Sequence, residues 1–367
     1  MSNQFCRYLG NQYRFNLDGI KPCCYYRKEI KLYDKPAFEQ LHNQLTAQTD
    51  WTPECGSCQE KELVGQVSPR QNSLLYYKHH GLNGPDEPDV LTRLEIQTDT
   101  DCNGACLICS PLNSTTWQKF ESKFNNTIVI NDSRNETLKI FERIKEVYDF
   151  SKLKHMGFVH GGEPLKSATH LMYLRELDRV GNLENVVVSY VTNGSIRPCD
   201  ETVSLWQKAK EVQLSLSVDG IDDHFNYLRW PLNFEHVKDN IAYILGLNVK
   251  GLLGFSFAVT PFSAFYYDRY VDWANEFFKG KGGSMKAYNF FEHPFGTGGN
   301  VNMGCVPPRL RFELLKKFGL EHPISKILSP FSLDNYRVFI DYINEQDSRR
   351  GLNFRTVFPE VERYFKD

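Results

Sequence analysis

The chain has 367 residues, 41% hydrophobic, 14% aromatic and 24% charged, which is ordinary for a globular protein and enough for one large domain with one or two small modules. With 43 Lys and Arg against 45 Asp and Glu, the net charge is −2, which gives no basic footprint for nucleic acid and no polybasic membrane patch. The longest apolar stretches, such as Gly251 to Val259, are too short to span a bilayer, and Met1-Ser2-Asn3-Gln4 lacks the basic-then-apolar pattern of a signal peptide, so a cytoplasmic protein with no membrane partner is expected.

Three regions follow in chain order. Residues 1–88 carry cysteines and leave through the Pro/Gly-rich stretch Gly81-Leu82-Asn83-Gly84-Pro85-Asp86-Glu87-Pro88. Residues 89–295 repeat a strand-then-helix rhythm. The expected strands are Arg93–Thr98, His155–Val159, Val186–Thr192, Val212–Val218, Leu252–Val259 and Lys286–Phe291, with helices over Thr137–Phe150, Leu171–Val180 and Phe234–Leu245. Such alternation implies a parallel sheet with right-handed crossovers. Six units would make most of a (β/α) barrel. Residues 296–367 read as a helical C-terminal extension, with Pro307-Pro308 ahead of an amphipathic run through Phe318.

Eight of the 10 cysteines lie at or before Cys109. In a reducing compartment, clustered cysteines point to metal or redox chemistry rather than to disulfides. After the first expected barrel strand comes Cys102-Asn103-Gly104-Ala105-Cys106-Leu107-Ile108-Cys109, a C-x3-C-x2-C spacing. A [4Fe–4S] cube normally takes four thiolates, so three close cysteines leave one iron without a protein ligand. An open position is what makes a metal site catalytic rather than structural. Zinc is the alternative metal, but the loop offers no fourth Cys or His nearby.

These residues resemble the radical S-adenosylmethionine (SAM) superfamily, and the resemblance continues downstream. His160-Gly161-Gly162-Glu163-Pro164 at the second strand end is similar to the family's GGEP element. Val191-Thr192-Asn193-Gly194-Ser195 is similar to its TNG turn. Leu216-Ser217-Val218-Asp219-Gly220 followed by Arg229 resembles the S-x-D-G…R stretch of the peptide-modifying branch. The resemblance covers residues 90–295 and implies a partial (β/α)6 barrel. It implies a SAM-binding [4Fe–4S] cluster on Cys102, Cys106 and Cys109. It implies contacts to SAM from Gly161, Gly162, Glu163, Pro164, Asn193, Ser217, Asp219 and Arg229. Barrel active sites gather at the C-terminal strand ends, where all four elements fall. Ile108 departs from the family, which often has an aromatic residue there. His160 and Cys305 are the candidates for chemistry on the substrate.

A second group, Cys6, Cys23, Cys24, Cys55 and Cys58, precedes the barrel pattern. Asp18-Gly19-Ile20-Lys21-Pro22-Cys23-Cys24 resembles the G-x-x-x-P-C turn of SPASM and twitch domains, with Cys55-Gly56-Ser57-Cys58 as the later C-x2-C pair. This resemblance implies an auxiliary [4Fe–4S] cluster on Cys6, Cys23, Cys55 and Cys58, with Cys24 as an alternative to Cys23. In most relatives the module follows the barrel, whereas here it precedes it. A structural zinc site is the alternative.

The expected activity is reductive cleavage of SAM to a 5′-deoxyadenosyl radical that abstracts a substrate hydrogen, leading to oxidation or bond formation on a peptide, protein or small molecule. The family implies an external low-potential electron donor such as flavodoxin or ferredoxin. The rival reading is a non-catalytic iron–sulfur or zinc protein that carries electrons or acts as a scaffold.

Overall fold

The computed structural model describes residues 12–15, 19–23, 25–28, 40, 51–63, 65, 67–73, 92–97, 99–126, 134–288, 295–296 and 299–365. Cys6 and Cys24 lie outside the described residues, as does the side chain of His160. The chain divides into two compact units. The first holds Met1–Asp99, Asp132–Tyr190 and Asp200–Val212, and the second holds Thr100–Asn131, Val191–Cys199 and Gln213–Asp367.

The elements in chain order begin with β1 (Gln12–Phe15), β2 (Ile20–Lys21), α1 (Gly56–Leu63), β3 (Arg93–Gln97), α2 (Thr115–Glu121), α3 (Arg134–Val147) and β4 (His155–His160). Next come α4 (Thr169–Arg179), β5 (Val187–Thr192), α5 (Asp200–Lys208), β6 (Glu211–Ser217), α6 (Asp222–Leu228) and α7 (Phe234–Leu245). They continue with β7 (Gly251–Ser256), β8 (Ala258–Val259), α8 (Tyr267–Phe278), β9 (Met285–Tyr288) and β10 (Phe295–Gly296). The chain closes with α9 (Pro308–Phe318), α10 (Pro323–Lys326), α11 (Leu333–Arg350), α12 (Phe354–Val357) and α13 (Pro359–Glu362).

The protein is mixed α/β with eight strands in a mostly parallel sheet, ordered β2-β1-β3-β4-β5 in the first unit and β6-β7-β9 in the second. Among the described residues of the first unit the pairs β1–β3, β3–β4 and β4–β5 are parallel, and β1–β2 is an antiparallel pair. The strand–helix alternation dictates this, because a parallel neighbour needs a crossover and a helix supplies it. Strand β3 shows the local logic: Leu94 and Ile96 are buried, while Glu95 between them pairs with Arg93 at 2.8 Å.

The sequence pattern starts the sheet at Arg93, yet the structure adds two strands before it. Gln12–Phe15 runs parallel to β3, with Phe15 opposite Ile96. Phe15 is buried and meets Tyr148 edge-on at 5.7 Å. Part of the cysteine-bearing N-terminal segment is therefore sheet edge, which so short a strand does not announce through periodicity. The expected strand over Leu252–Val259 is divided into β7 and β8, and β8 pairs with β10 in a separate two-stranded sheet.

Aromatic rings fill both interiors. In the first unit Tyr190 lies between Phe158 (5.1 Å) and Trp206 (5.4 Å), and Trp206 Nε1 donates to its hydroxyl at 3.1 Å. In the second unit Phe262 sits among Phe339, Phe354, Phe358 and Phe365 at 4.8–5.3 Å, which fastens the C-terminal helices to the segment after β8. Helix α11 has defined ends: Ser332 accepts from the Asn335 amide, and Gly351 closes it at φ 67°. Among the described residues, no helix is long and apolar enough to cross a membrane.

Candidate metal centre

The loop Cys102–Cys109 lies in the second unit and is held by its carbonyls. Ser114 caps α2 by accepting from the Trp117 amide, and its hydroxyl donates to Gly104 O at 2.5 Å. Thr116 Oγ1 donates to Cys102 O at 2.7 Å, and Trp117 Nε1 donates to Cys106 O at 2.9 Å. Tyr342 of α11 donates to Leu107 O at 3.1 Å. The amides of Ala105 and Leu107 in turn donate to Trp230 O and Leu228 O, both at 2.8 Å. Each such bond is worth about 0.5–1.5 kcal/mol net, and together they fix the backbone of a loop that has no regular structure of its own.

The sulfurs of Cys102 and Cys106 receive donors instead, whereas Cys109 Sγ faces the Ser110 carbonyl at 3.7 Å. Gly104 N lies 3.4 Å and Asn193 Nδ2 3.9 Å from Cys102 Sγ, and Arg229 Nη1 lies 3.8 Å from Cys106 Sγ. A side chain at Gly104 would place its Cβ 3.2 Å from Cys106 Sγ and 3.8 Å from Cys102 Sγ, so glycine is what leaves the space beside these two sulfurs open. Donors on two of the three sulfurs, with four loop carbonyls engaged by side chains, suit thiolates that carry negative charge at Cys102 and Cys106. Hydrogen bonds to the sulfurs are one way a protein tunes an iron–sulfur cluster.

Asn193 and Ser195 of the turn after β5 connect to the same loop. Asn193 Nδ2 donates to Asn103 Oδ1 at 3.0 Å, Asn103 Nδ2 donates to Ser195 Oγ at 2.8 Å, and Asn193 Oδ1 accepts from the Ser195 amide at 2.9 Å. Behind Cys106, Arg229 Nε and Asp219 Oδ2 form an ion pair at 2.6 Å, with Asp219 1% exposed, and Asp219 Oδ1 accepts from the Ala258 amide at 3.0 Å. Burial works against the Arg229 charge, but Asp219 and Cys106 more than offset it and hold the guanidinium above its ordinary pKa. Burial pushes the Cys109 thiol up to about 11, and the neighbouring Cys106 adds to this. Ser217 ends β6 half-buried.

The GGEP turn lies in the first unit. Gly161 and Gly162 have φ of 63° and 64°, and a Cβ at Gly161 would stand 2.1 Å from Gln97 Nε2. Glu163 is 1% exposed, and its Oε1 accepts from the Leu165 amide at 3.2 Å. Pro164 is buried beside it. The segment that follows is tied to the end of β3: Ser167 Oγ donates to Asp99, and Thr169 Oγ1 lies 3.4 Å from the same carboxylate.

Among the N-terminal cysteines, Cys23 follows β2, Cys55 ends a 3-10 turn over Pro53–Cys55, and Cys58 is buried on α1. The Arg27 amide donates to Glu54 O at 3.1 Å, which ties the Cys23 turn to the Cys55 turn. Burial pushes the Tyr26 hydroxyl up to about 12, and Glu54, Cys55 and Cys23 add to it. Cys305 is buried in a 3-10 turn, its Sγ 3.3 Å from Asn335 O, and burial pushes its thiol up to about 11. Among the described residues, no three His, Cys, Asp or Glu side chains are gathered as a single metal ion would need.

Sequence reasoning did not find Asn103, Ser195, Trp117 or Tyr342, which hold the loop, or Arg350, whose guanidinium lies over Trp117. Only Asn103 and Ser195 stood inside a recognised motif, and their adjacency needs the two turns in three dimensions.

No family model and no curated protein matches the chain. Among solved structures, the chain resembles SuiB of Streptococcus suis. SuiB bound to the precursor peptide SuiA matches at 12% identity and a TM-score of 0.36, covering 90% of this chain and 63% of that one. SuiB bound to S-adenosylmethionine matches at 12% identity and a TM-score of 0.37, covering 88% of this chain and 60% of that one. Native anSMEcpe with bound AdoMet matches at 19% identity and a TM-score of 0.36, covering 71% and 62%. The chain thus spans about 60–63% of the length of these structures.

Proposed function

We propose that the chain is a radical SAM enzyme with its [4Fe–4S] cluster on Cys102, Cys106 and Cys109. The observation that carries this reading is the polarity of the loop: its carbonyls are taken up by Ser114, Thr116, Trp117 and Tyr342, while Gly104 N and Asn193 face the Cys102 sulfur and Arg229 the Cys106 sulfur. Bound there, a cluster with one open iron would supply the electron for reductive cleavage of SAM to a 5′-deoxyadenosyl radical, the species that would take a hydrogen atom from the substrate. The protein's part is orientation and charge. Arg229 and Asn193 donate to the thiolates, and the Asn103–Asn193–Ser195 set keeps the loop in place. By the motif resemblance, Gly161, Gly162, Glu163 and Pro164 are proposed to hold the SAM ammonium, and Ser217, Asp219 and Arg229 its ribose or carboxylate.

The proposal extends to a partial (β/α)6 barrel and to a twitch-like auxiliary [4Fe–4S] site on Cys6, Cys23, Cys55 and Cys58. The backbone tie between the Cys23 and Cys55 turns supports the latter. Four thiolates saturate a cube, so this site would pass electrons rather than bind SAM. A peptide or protein substrate is favoured over a small molecule, because an open six-unit barrel admits an extended chain. A low-potential flavodoxin or ferredoxin would supply the electron.

The test is anaerobic reconstitution with iron and sulfide, then dithionite and SAM, followed by assay of 5′-deoxyadenosine. The wild-type chain should form it and Cys106→Ala should not. Formation at the same rate in both, or none in a wild-type chain that carries stoichiometric zinc, overturns the reading.

A further inference from the structure

Helix α11 reaches the cysteine loop and its flanking helix with three side chains. Tyr342 holds the Leu107 carbonyl at 3.1 Å. Arg349 grips both carboxylate oxygens of Glu121 at 3.0 and 3.1 Å. Arg350 lies over Trp117 at 4.7 Å, Trp230 at 5.3 Å and Phe120 at 5.6 Å.

The first two contacts are anchors, and Arg350 is different. Among the described residues, its Nε and Nη2, both buried, have no hydrogen-bond partner. Among the described residues, no carboxylate forms a salt bridge with it, whereas its neighbour Arg349 pairs with both Glu121 and Glu345. Asp347, one turn earlier on the helix, accepts from the Phe354 amide at 2.8 Å instead. Ring faces return only about 0.5–2 kcal/mol to a cation, less than the several kcal/mol that a desolvated charge costs. Burial accordingly pulls the Arg350 pKa down, against Tyr342, Tyr227, Cys106 and Asp347, which raise it. A negative charge next to the box would offset that cost. Trp117, the ring beneath Arg350, donates to the Cys106 carbonyl, so this cation is coupled to the backbone of a proposed ligand.

We propose that Arg350 is a positioning cation for the cluster site: it stabilises the negative charge that site gains on taking one electron from a low-potential donor. This rests on the reading of Cys102–Cys109 as a cluster site. Reduction adds one negative charge beside three thiolates, and a fixed cation in the aromatic box favours the reduced form. Arg229 also faces Cys106, but its charge is answered by Asp219 at 2.6 Å. The charge on Arg350 is not answered in this way.

The test uses the full chain, reconstituted anaerobically. The midpoint of the cluster signal that disappears in Cys106→Ala is followed by electron paramagnetic resonance in a dithionite titration. Arg350→Gln should make one-electron reduction about tenfold less favourable, a shift of about 59 mV to lower potential, with iron content unchanged. Arg350→Met, which refills the box without a charge, should shift it equally and guards against a Gln variant that folds poorly. Arg350→Lys should stay within about twofold of wild type. A midpoint unmoved in the two neutral variants, or a Lys variant shifted as far as they are, overturns the proposal. A wild-type chain with no signal that depends on Cys106 overturns the cluster reading itself, and the proposal with it.

Discussion

His224 provides a pH test of the second unit. It sits on α6 with its ring stacked on Phe358 at 4.5 Å, and it bridges α8 and the C-terminal segment. Its Nδ1 lies 2.7 Å from the Tyr270 hydroxyl and its Nε2 2.9 Å from the Val357 carbonyl. A carbonyl only accepts, so Nε2 carries the proton and Nδ1 accepts from Tyr270 in the neutral ring. Burial pushes its pKa from 6.5 down to about 4, and Arg269 pushes the same way against the Val357 hydrogen bond, Glu360 and Asp222. The folded pKa is depressed, so between these values the unfolded chain binds a proton that the folded chain refuses. Stability is therefore full above about pH 6.5 and falls with acid until about pH 4. At about 1.36 kcal/mol per tenfold the whole effect is about 3 kcal/mol, and about 2 kcal/mol of it is lost between pH ~7.5 and pH ~5. His170, buried in the first unit, is also pushed down to about 4 and adds a loss in the same window. A substitution is needed to separate them. His224→Gln keeps a donor and an acceptor but does not titrate. In denaturant unfolding at the two pH values, wild type should lose about 2 kcal/mol more than the variant. Equal losses would refute the assignment of a neutral, buried His224.

Two further outcomes are expected. Trp117→Phe keeps the ring under Arg350 but removes the Nε1 donor to Cys106 O, which then keeps only the Cys109 amide at 3.0 Å, a loss of about 0.5–1.5 kcal/mol. Iron loading of the loop should drop while circular dichroism stays that of wild type, and full loading would show that this bond is dispensable. In Cys55→Ala/Cys58→Ala, iron and sulfide should fall by about four per chain. Formation of 5′-deoxyadenosine should persist without product, and normal turnover would remove the N-terminal site from the chemistry.

Much of the sheet was legible because strand and helix periods are local. The strands at Arg93, His155, Val187 and Glu211 and the helix Phe234–Leu245 appear where the alternation of apolar residues puts them. The spacing Cys102, Cys106, Cys109 was equally plain, since cysteines so close along the chain need no fold to bring them together. The same holds for the residue types of the two turns, Gly161-Gly162-Glu163 and Thr192-Asn193-Gly194.

Partners that meet only through the fold left no mark in the sequence. Nothing in Gln12–Phe15 announces a strand parallel to β3, because so short a segment carries too little period and its partner begins only at Arg93. Asp219 and Arg229 matched a motif, yet only packing made them a buried pair behind Cys106. Tyr342 and Arg350 come far beyond the loop in the chain, on a helix that carries none of the recognised motifs. Local sequence determined which sulfurs stand together in one loop. Tertiary structure decided which charges and donors surround them, because electrostatics depends on distance in space and takes no account of distance along the chain.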